Sequence, residues 1–184
     1  MSITDTAVAT SQEQLSLGDR RLYLATVAMV LGNVALPALV HGVPNGGRIF
    51  LPIFFFTLIA GWRFGLYAAL LTAVLSPLAN HLLTGMPGSP MLAGIIVQSA
   101  TLGVLATLLA GRERRASLPR LGLVVLLQQV LVSAIGLWQS GWQPCLAALQ
   151  TRIPGLAVQI LGGFLVLRLL DRWLPQSGQT DRAA

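Results

Sequence analysis

Apolar positions along this chain come in long continuous runs, at residues 22–40, 49–62, 64–83, 91–110, 121–138 and 153–174. A helix needs about 20 apolar residues to cross the hydrocarbon core of a bilayer. The runs therefore predict transmembrane helices, punctuated by segments rich in glycine and proline. Residues 41–48 end the first run with Pro44, Gly46 and Gly47. Residues 84–90 carry Gly85, Pro87, Gly88 and Pro90 between the third and fourth. A charged segment, 111–120, follows the fourth run, and a wetter stretch, 139–152, precedes the sixth. Pro154 is expected near the first turn of the last helix, where a missing N–H matters little.

The second run is short. Fourteen residues rise only about 21 Å, which also suits a re-entrant segment. Charge decides between the two. All twelve basic residues are arginine. With six spans, Arg20, Arg21, Arg63, Arg112, Arg114 and Arg115 fall on one side, together with Arg120, Arg168, Arg172 and Arg182. Only Arg48 and Arg152 fall on the other. Arginine marks the cytoplasmic side, so the expected fold is an all-α integral membrane protein of six transmembrane helices with both termini inside. A re-entrant second run would move the 112–115 cluster outside and remove the bias. The short helix is expected to be embedded among its neighbours or to sit where the bilayer thins. The domain plan is a disordered cytoplasmic tail at 1–20, a membrane domain at 21–174 and a second tail at 175–184. The N-terminal tail lacks the basic start and apolar centre of a cleaved signal peptide.

Composition agrees with that plan. Only 10% of the residues are charged, against about 25% in a soluble domain. The net charge of +6 does not point to nucleic acid, because the arginines flank the apolar runs instead of forming one basic face. Cys145 is the sole cysteine. An internal disulfide and a cysteine-based zinc site are therefore excluded. No clear internal repeat is visible, against the repeat-built transporter folds.

The polar residues of the outer side contain no acid. His41, Asn45 and Arg48 follow the first run, and Asn80, His81, Thr84 and Met86 follow the third. Trp138, Trp142 and Arg152 flank the wetter stretch, with Gln139, Gln143 and Gln150 among them. Amide donors, two cations and aromatic walls suit a pocket for a neutral or anionic organic ligand. The same residues also suit an ordinary membrane interface, where tryptophan is at home. His81 is a candidate metal-facing imidazole, and a histidine hydrogen-bonded at a helix end is the plainer alternative. Within the spans the polar residues are Asn33, Gln98, Ser99, Gln128, Gln129, Ser133 and Gln159. No Asp, Glu or Lys lies mid-span, so the ionisable relay of a proton-coupled carrier is missing. No Ser-His-Asp set, HExxH or P-loop is present. Ala25, Ala28, Gly32 and Ala35 form a small-residue stripe that would let another helix approach closely.

Residues 46–52 (Gly-Gly-Arg-Ile-Phe-Leu-Pro), 58–61 (Leu-Ile-Ala-Gly), Gly65, 75–77 (Leu-Ser-Pro) and 82–87 (Leu-Leu-Thr-Gly-Met-Pro) resemble the substrate-binding S component of energy-coupling factor (ECF) vitamin importers. The likeness is densest over residues 41–90. It implies a six-helix bundle in the bacterial cytoplasmic (inner) membrane that captures a vitamin from outside. It also implies partners: a transmembrane scaffold and ATPase subunits that supply energy. Such a division of labour would explain why neither an ion relay nor a nucleotide motif is found. Ala28 and Gly32 stand where the family's alanine motif docks the scaffold. The same segment is similar to the cobalamin-specific BtuM-like members, which makes a corrinoid the expected substrate, with no resident cofactor. Those members carry a cysteine near Asn80 and His81; here His81 would be the axial ligand to the substrate's cobalt. The competing readings are an S component for another vitamin, a non-transport scaffold of the rod-shape type and a membrane enzyme.

Overall fold

The computed structural model describes residues 14–39, 52–111 and 114–173. These residues are helical almost throughout, and no strand occurs among them. Helix α1 is Arg20–Leu39. A 3-10 turn, Pro52–Phe54, leads into α2, Phe55–Phe64. Then come α3 (Leu66–Thr84), α4 (Ser89–Leu109) and α5 (Leu118–Ser140). The last leg joins α6 (Trp142–Ala157), a π-helical turn (Val158–Gly162) and α7 (Gly163–Trp173). Among the described residues four helices are long and apolar enough to cross a membrane: α3, α4, α5 and the continuous Trp142–Trp173 leg.

The bundle is apolar outside as well as inside. Leu24, Leu82, Leu108 and Val130 are exposed. In water such a surface would draw chains together; in lipid it is the required one.

Helix α2 is the centre. Phe55 and every residue from Thr57 to Trp62 are buried, so it is apolar all round, as a core helix must be. Pro52–Phe64 is a short apolar helix, rising only about 20 Å. The second run is thus embedded among its neighbours. It is wrapped by α1, α3 and α4, with α7 against its end. Helix α1 turns Leu22, Thr26, Met29 and Asn33 inward, a spacing of three and four that keeps one face on the core.

Close approach depends on small residues. A Cβ added to Gly61 would lie 2.5 Å from the Gly103 carbonyl oxygen, and one added to Gly103 would lie 2.8 Å from the Ala69 Cβ. Helices α2, α3 and α4 therefore meet almost backbone to backbone. Gly32 does the same beneath the Phe56 ring, 2.5 Å from its would-be Cβ.

A buried polar network ties the same helices. The Asn33 amide donates to the Thr57 hydroxyl at 3.2 Å and the Ser76 hydroxyl at 3.0 Å. Its oxygen accepts the Phe56 N–H at 3.0 Å, capping a first-turn donor of α2 that its own chain leaves free. Ser99 donates to Thr57 at 3.1 Å, and Asn80 donates to the Asn33 carbonyl at 3.1 Å.

One end of the bundle collects the arginines. There Leu15 N–H donates to the Phe64 carbonyl, Ala116 N–H reaches Asp171, and Arg63 lies 3.8 Å from Asp171. Of the arginines among the described residues, only Arg152 lies away from this end.

The wetter stretch 139–152, which the sequence analysis placed between the fifth and sixth spans, is helical apart from Gly141. Helix α5 runs through Ser140 and α6 begins at Trp142. Gly141 alone makes the turn, at φ +81°, a conformation glycine adopts without penalty. Pro144 falls in the first turn of α6, where proline is tolerated. Residues 145–150 are mostly strong helix formers, so polarity did not break the helix. Pro154 consequently lies inside α6 rather than in its first turn. It removes a backbone donor, and the ladder shifts to π-type pairing just after it.

Candidate functional site

A cavity of about 360 Å³ lies between α4, α5 and α6. It is bounded by Gln98 on α4, by Gln129, Ser133 and Gln139 on α5, and by Cys145 and Arg152 on α6. A second, smaller void of about 20 Å³ adjoins it through shared lining residues, room for about one water-sized group. Gln128, Gln159, Phe54 and Leu102 close that void, and Gln98, Gln129 and Arg152 line both spaces.

The α5–α6 turn brings the walls together, since Gly141 folds α6 back along α5. Cys145 packs on that contact, its Sγ 3.4 Å from the Ser133 carbonyl. Its exposed lining residues Gln139, Ser140 and Pro144 lie beside the α5–α6 turn, at the end of the bundle remote from the arginine cluster.

The chemistry of the cavity is amide and cation. Gln128 Nε2 donates to the Gln98 backbone carbonyl at 2.8 Å. A carbonyl can only accept, so the amide orientation is fixed. That leaves Gln128 Oε1 buried with no partner. Gln129 Nε2 donates to the Ser133 hydroxyl at 3.0 Å. Gln159 is 97% buried, from a relative exposure of 3%. Arg152 is half-buried, and its only described ionic neighbourhood is free of carboxylate: the one Arg–carboxylate pair among the described residues is Arg63 with Asp171.

Of the outer polar set read from the sequence, Arg152 and Gln139 line this cavity. Asn80 is buried in the polar network, donating to the Asn33 and Ser76 carbonyls. Thr84 donates to the Asn80 carbonyl at 2.7 Å and accepts the Met86 N–H at 3.2 Å, shaping the α3–α4 turn. Met86 is exposed on that turn, as are Trp138, at 87%, and Trp142, at 63%. The tryptophans point away from the bundle, as interfacial aromatics do. His81 Nδ1 lies 2.8 Å from the Pro87 carbonyl. The carbonyl fixes Nδ1 as the donor, which leaves the Nε2 lone pair available. Among the described residues no group of three or more His, Cys, Asp or Glu side chains could hold a metal ion. His41, Asn45 and Arg48 lie outside the described residues. Ala28 is exposed on α1, and Gly32, one turn on, is half-buried against the Phe56 ring.

The glutamines were visible in the sequence as isolated polar positions within apolar runs. Their convergence on Arg152 was not, because it depends on α6 folding back over α5. No protein-family model, curated protein or solved structure matches the chain.

Proposed function

We propose that this chain is a membrane-embedded solute-binding protein, acting as the S component of an ECF-type vitamin importer. On this reading six legs cross a bacterial cytoplasmic membrane with both termini inside. The solute enters from outside, and separate ATPases and a scaffold supply the energy. The observation that carries the reading is the cavity on Arg152: a cation and five glutamines converge in a largely apolar bundle, with no carboxylate among the lining residues. Polar groups inside a membrane protein are expensive, and where they converge on a cavity they mark a solute site.

The arginine-rich end supports the orientation, since arginine favours the cytoplasmic face. The cavity then lies toward the outer side. Size bears on the substrate. Small-molecule pockets span about 300–1,000 Å³, and about 360 Å³ is at the lower end. A small vitamin-like solute suits it better than a corrinoid, whose macrocycle and nucleotide tail need more room.

Mass spectrometry of solutes retained by the detergent-purified protein tests the proposal. One small solute per chain is expected, together with uptake of that solute when scaffold and ATPases are co-expressed. Retention of a corrinoid would move the binding site away from this cavity. No retained solute and no uptake would favour the rod-shape scaffold reading.

A further inference from the structure

We infer that the solute is a small organic acid that also carries an N–H or O–H donor, with its carboxylate on Arg152 and its donor on Gln128. The inference rests on the reading of the cavity as a solute site and specifies what fills it.

The first half follows from charge. Arg152 lines the cavity and the adjoining void and has no carboxylate among the described residues within ion-pair distance. A half-buried guanidinium without a counter-ion is unfavourable, and an incoming anion relieves it. The planar fork of arginine matches the two oxygens of a carboxylate. A cationic solute is disfavoured by the same charge, and the lining offers no acid to attract one.

The second half follows from hydrogen-bond accounting. Gln128 spends its NH₂ on the Gln98 carbonyl, and its Oε1 is buried without a partner. An orphaned buried acceptor is unfavourable by more than a typical hydrogen bond is favourable. Gln128 and Arg152 line the same small void, so a solute held in the cavity with its donor group placed in that void would lie beside both. The Gln159 amide, buried and on the same lining, is available to either end of the solute.

An oxyanion on Arg152 could also be supplied by a lipid phosphate, so the experiment must separate the two sources. Cys145 lines the cavity and is the only cysteine in the chain, which makes it a native reporter. In the detergent-purified full chain, the rate of Cys145 alkylation by N-ethylmaleimide is followed with two acid–neutral pairs whose acids carry N–H or O–H donors: biotin and biotinamide, pantothenate and panthenol. Co-purified solutes and lipids are identified in parallel by mass spectrometry. At least one acid should slow alkylation, with its neutral partner at least tenfold weaker, and Arg152→Gln should erase that preference. Arg152→Lys should retain part of it, which guards against a folding defect in the glutamine variant. Gln128→Leu should weaken the acid while preserving the acid-over-neutral ratio. Equal protection by acid and neutral partners, or a neutral or cationic co-purified solute, would overturn the carboxylate assignment and leave the solute site standing. A stoichiometric phospholipid that protects Cys145 would assign the oxyanion to lipid and overturn the solute class. No protection by any probe and no co-purified solute would overturn the site itself.

Discussion

Trp62 and Arg114 hold each other reciprocally: the indole Nε1 donates to the Arg114 carbonyl at 3.2 Å, and the Arg114 guanidinium donates to the Trp62 carbonyl at 3.1 Å. The same guanidinium nitrogen also reaches the Gly61 carbonyl at 3.1 Å. Arg114 thereby caps the C-terminal end of α2, where orphan carbonyls and the negative end of the helix dipole favour a cation. Its backbone is left-handed, at φ +47°, which is uncommon for a residue with a Cβ. Burial, and then the charge of Arg63, hold the guanidinium below its ordinary pKa. Arginine titrates so far above neutrality that it stays charged in use.

Replacing Arg114 by Ala should lower stability by roughly 2–3 kcal/mol, the scale of losing charge-assisted bonds to buried carbonyls. Trp62→Phe keeps most of the volume and loses one neutral bond, so about 1 kcal/mol is expected. Thermal unfolding in detergent would give the order Arg114→Ala below Trp62→Phe below wild type. An unchanged midpoint for Arg114→Ala would remove the cap from the account.

The glycines separate into two kinds. Gly61→Ala drives a methyl into the Gly103 carbonyl, which is backbone and cannot swing aside. Overpacking of this sort should destabilise by about 1–3 kcal/mol. Gly122 lies in helix α5 with nothing within 4 Å of its would-be Cβ. Gly122→Ala should be neutral or stabilising by up to about 1 kcal/mol, from helix propensity. Equal effects at the two positions, measured by thermal unfolding, would contradict the close α2–α4 crossing.

Asn33→Ala removes three side-chain hydrogen bonds at once. Interhelical hydrogen bonds in membrane proteins average about 0.6 kcal/mol each, so a loss of about 2 kcal/mol is expected. Double-mutant cycles with Thr57→Val and Ser76→Ala should show coupling. Additive effects would mean that the three groups do not form one network.

The pattern of apolar runs made most of the bundle legible. The end of α3 is written in Gly85, but the inward face of Leu22, Thr26, Met29 and Asn33 is not, because apolar residues occupy every side of α1. The helicity of the wetter stretch was also hidden, because hydropathy reports solvation rather than helix formation. Residues 145–150 favour helix whatever surrounds them. Within the candidate site, histidines and tryptophans attracted attention because their chemistry is distinctive. His81 and Thr84 satisfy the α3–α4 turn instead, and the tryptophans face outward. Gln98, Gln128 and Gln159 are far apart in sequence, and only tertiary packing gathers them around Arg152.

The continuity of the last leg has its own test. Amide hydrogen exchange should be slow across residues 146–153, as in a helix, and faster near Pro154 and the π-helical turn, where the ladder is interrupted. Fast exchange across residues 146–153 would contradict the continuous helix.

The central claim is that the cavity beside Arg152 receives a solute from the face opposite the arginine cluster. Cys145 lines that cavity, so its labelling by a membrane-impermeant thiol reagent in intact cells tests the claim most directly. A Ser117→Cys, Cys145→Ser double variant reports the arginine-rich end for comparison. The account predicts that Cys145 labels in intact cells, that the retained solute suppresses this labelling, and that residue 117 labels only after the cells are opened. Labelling of Cys145 only in inside-out vesicles, together with labelling of residue 117 in intact cells, would contradict it.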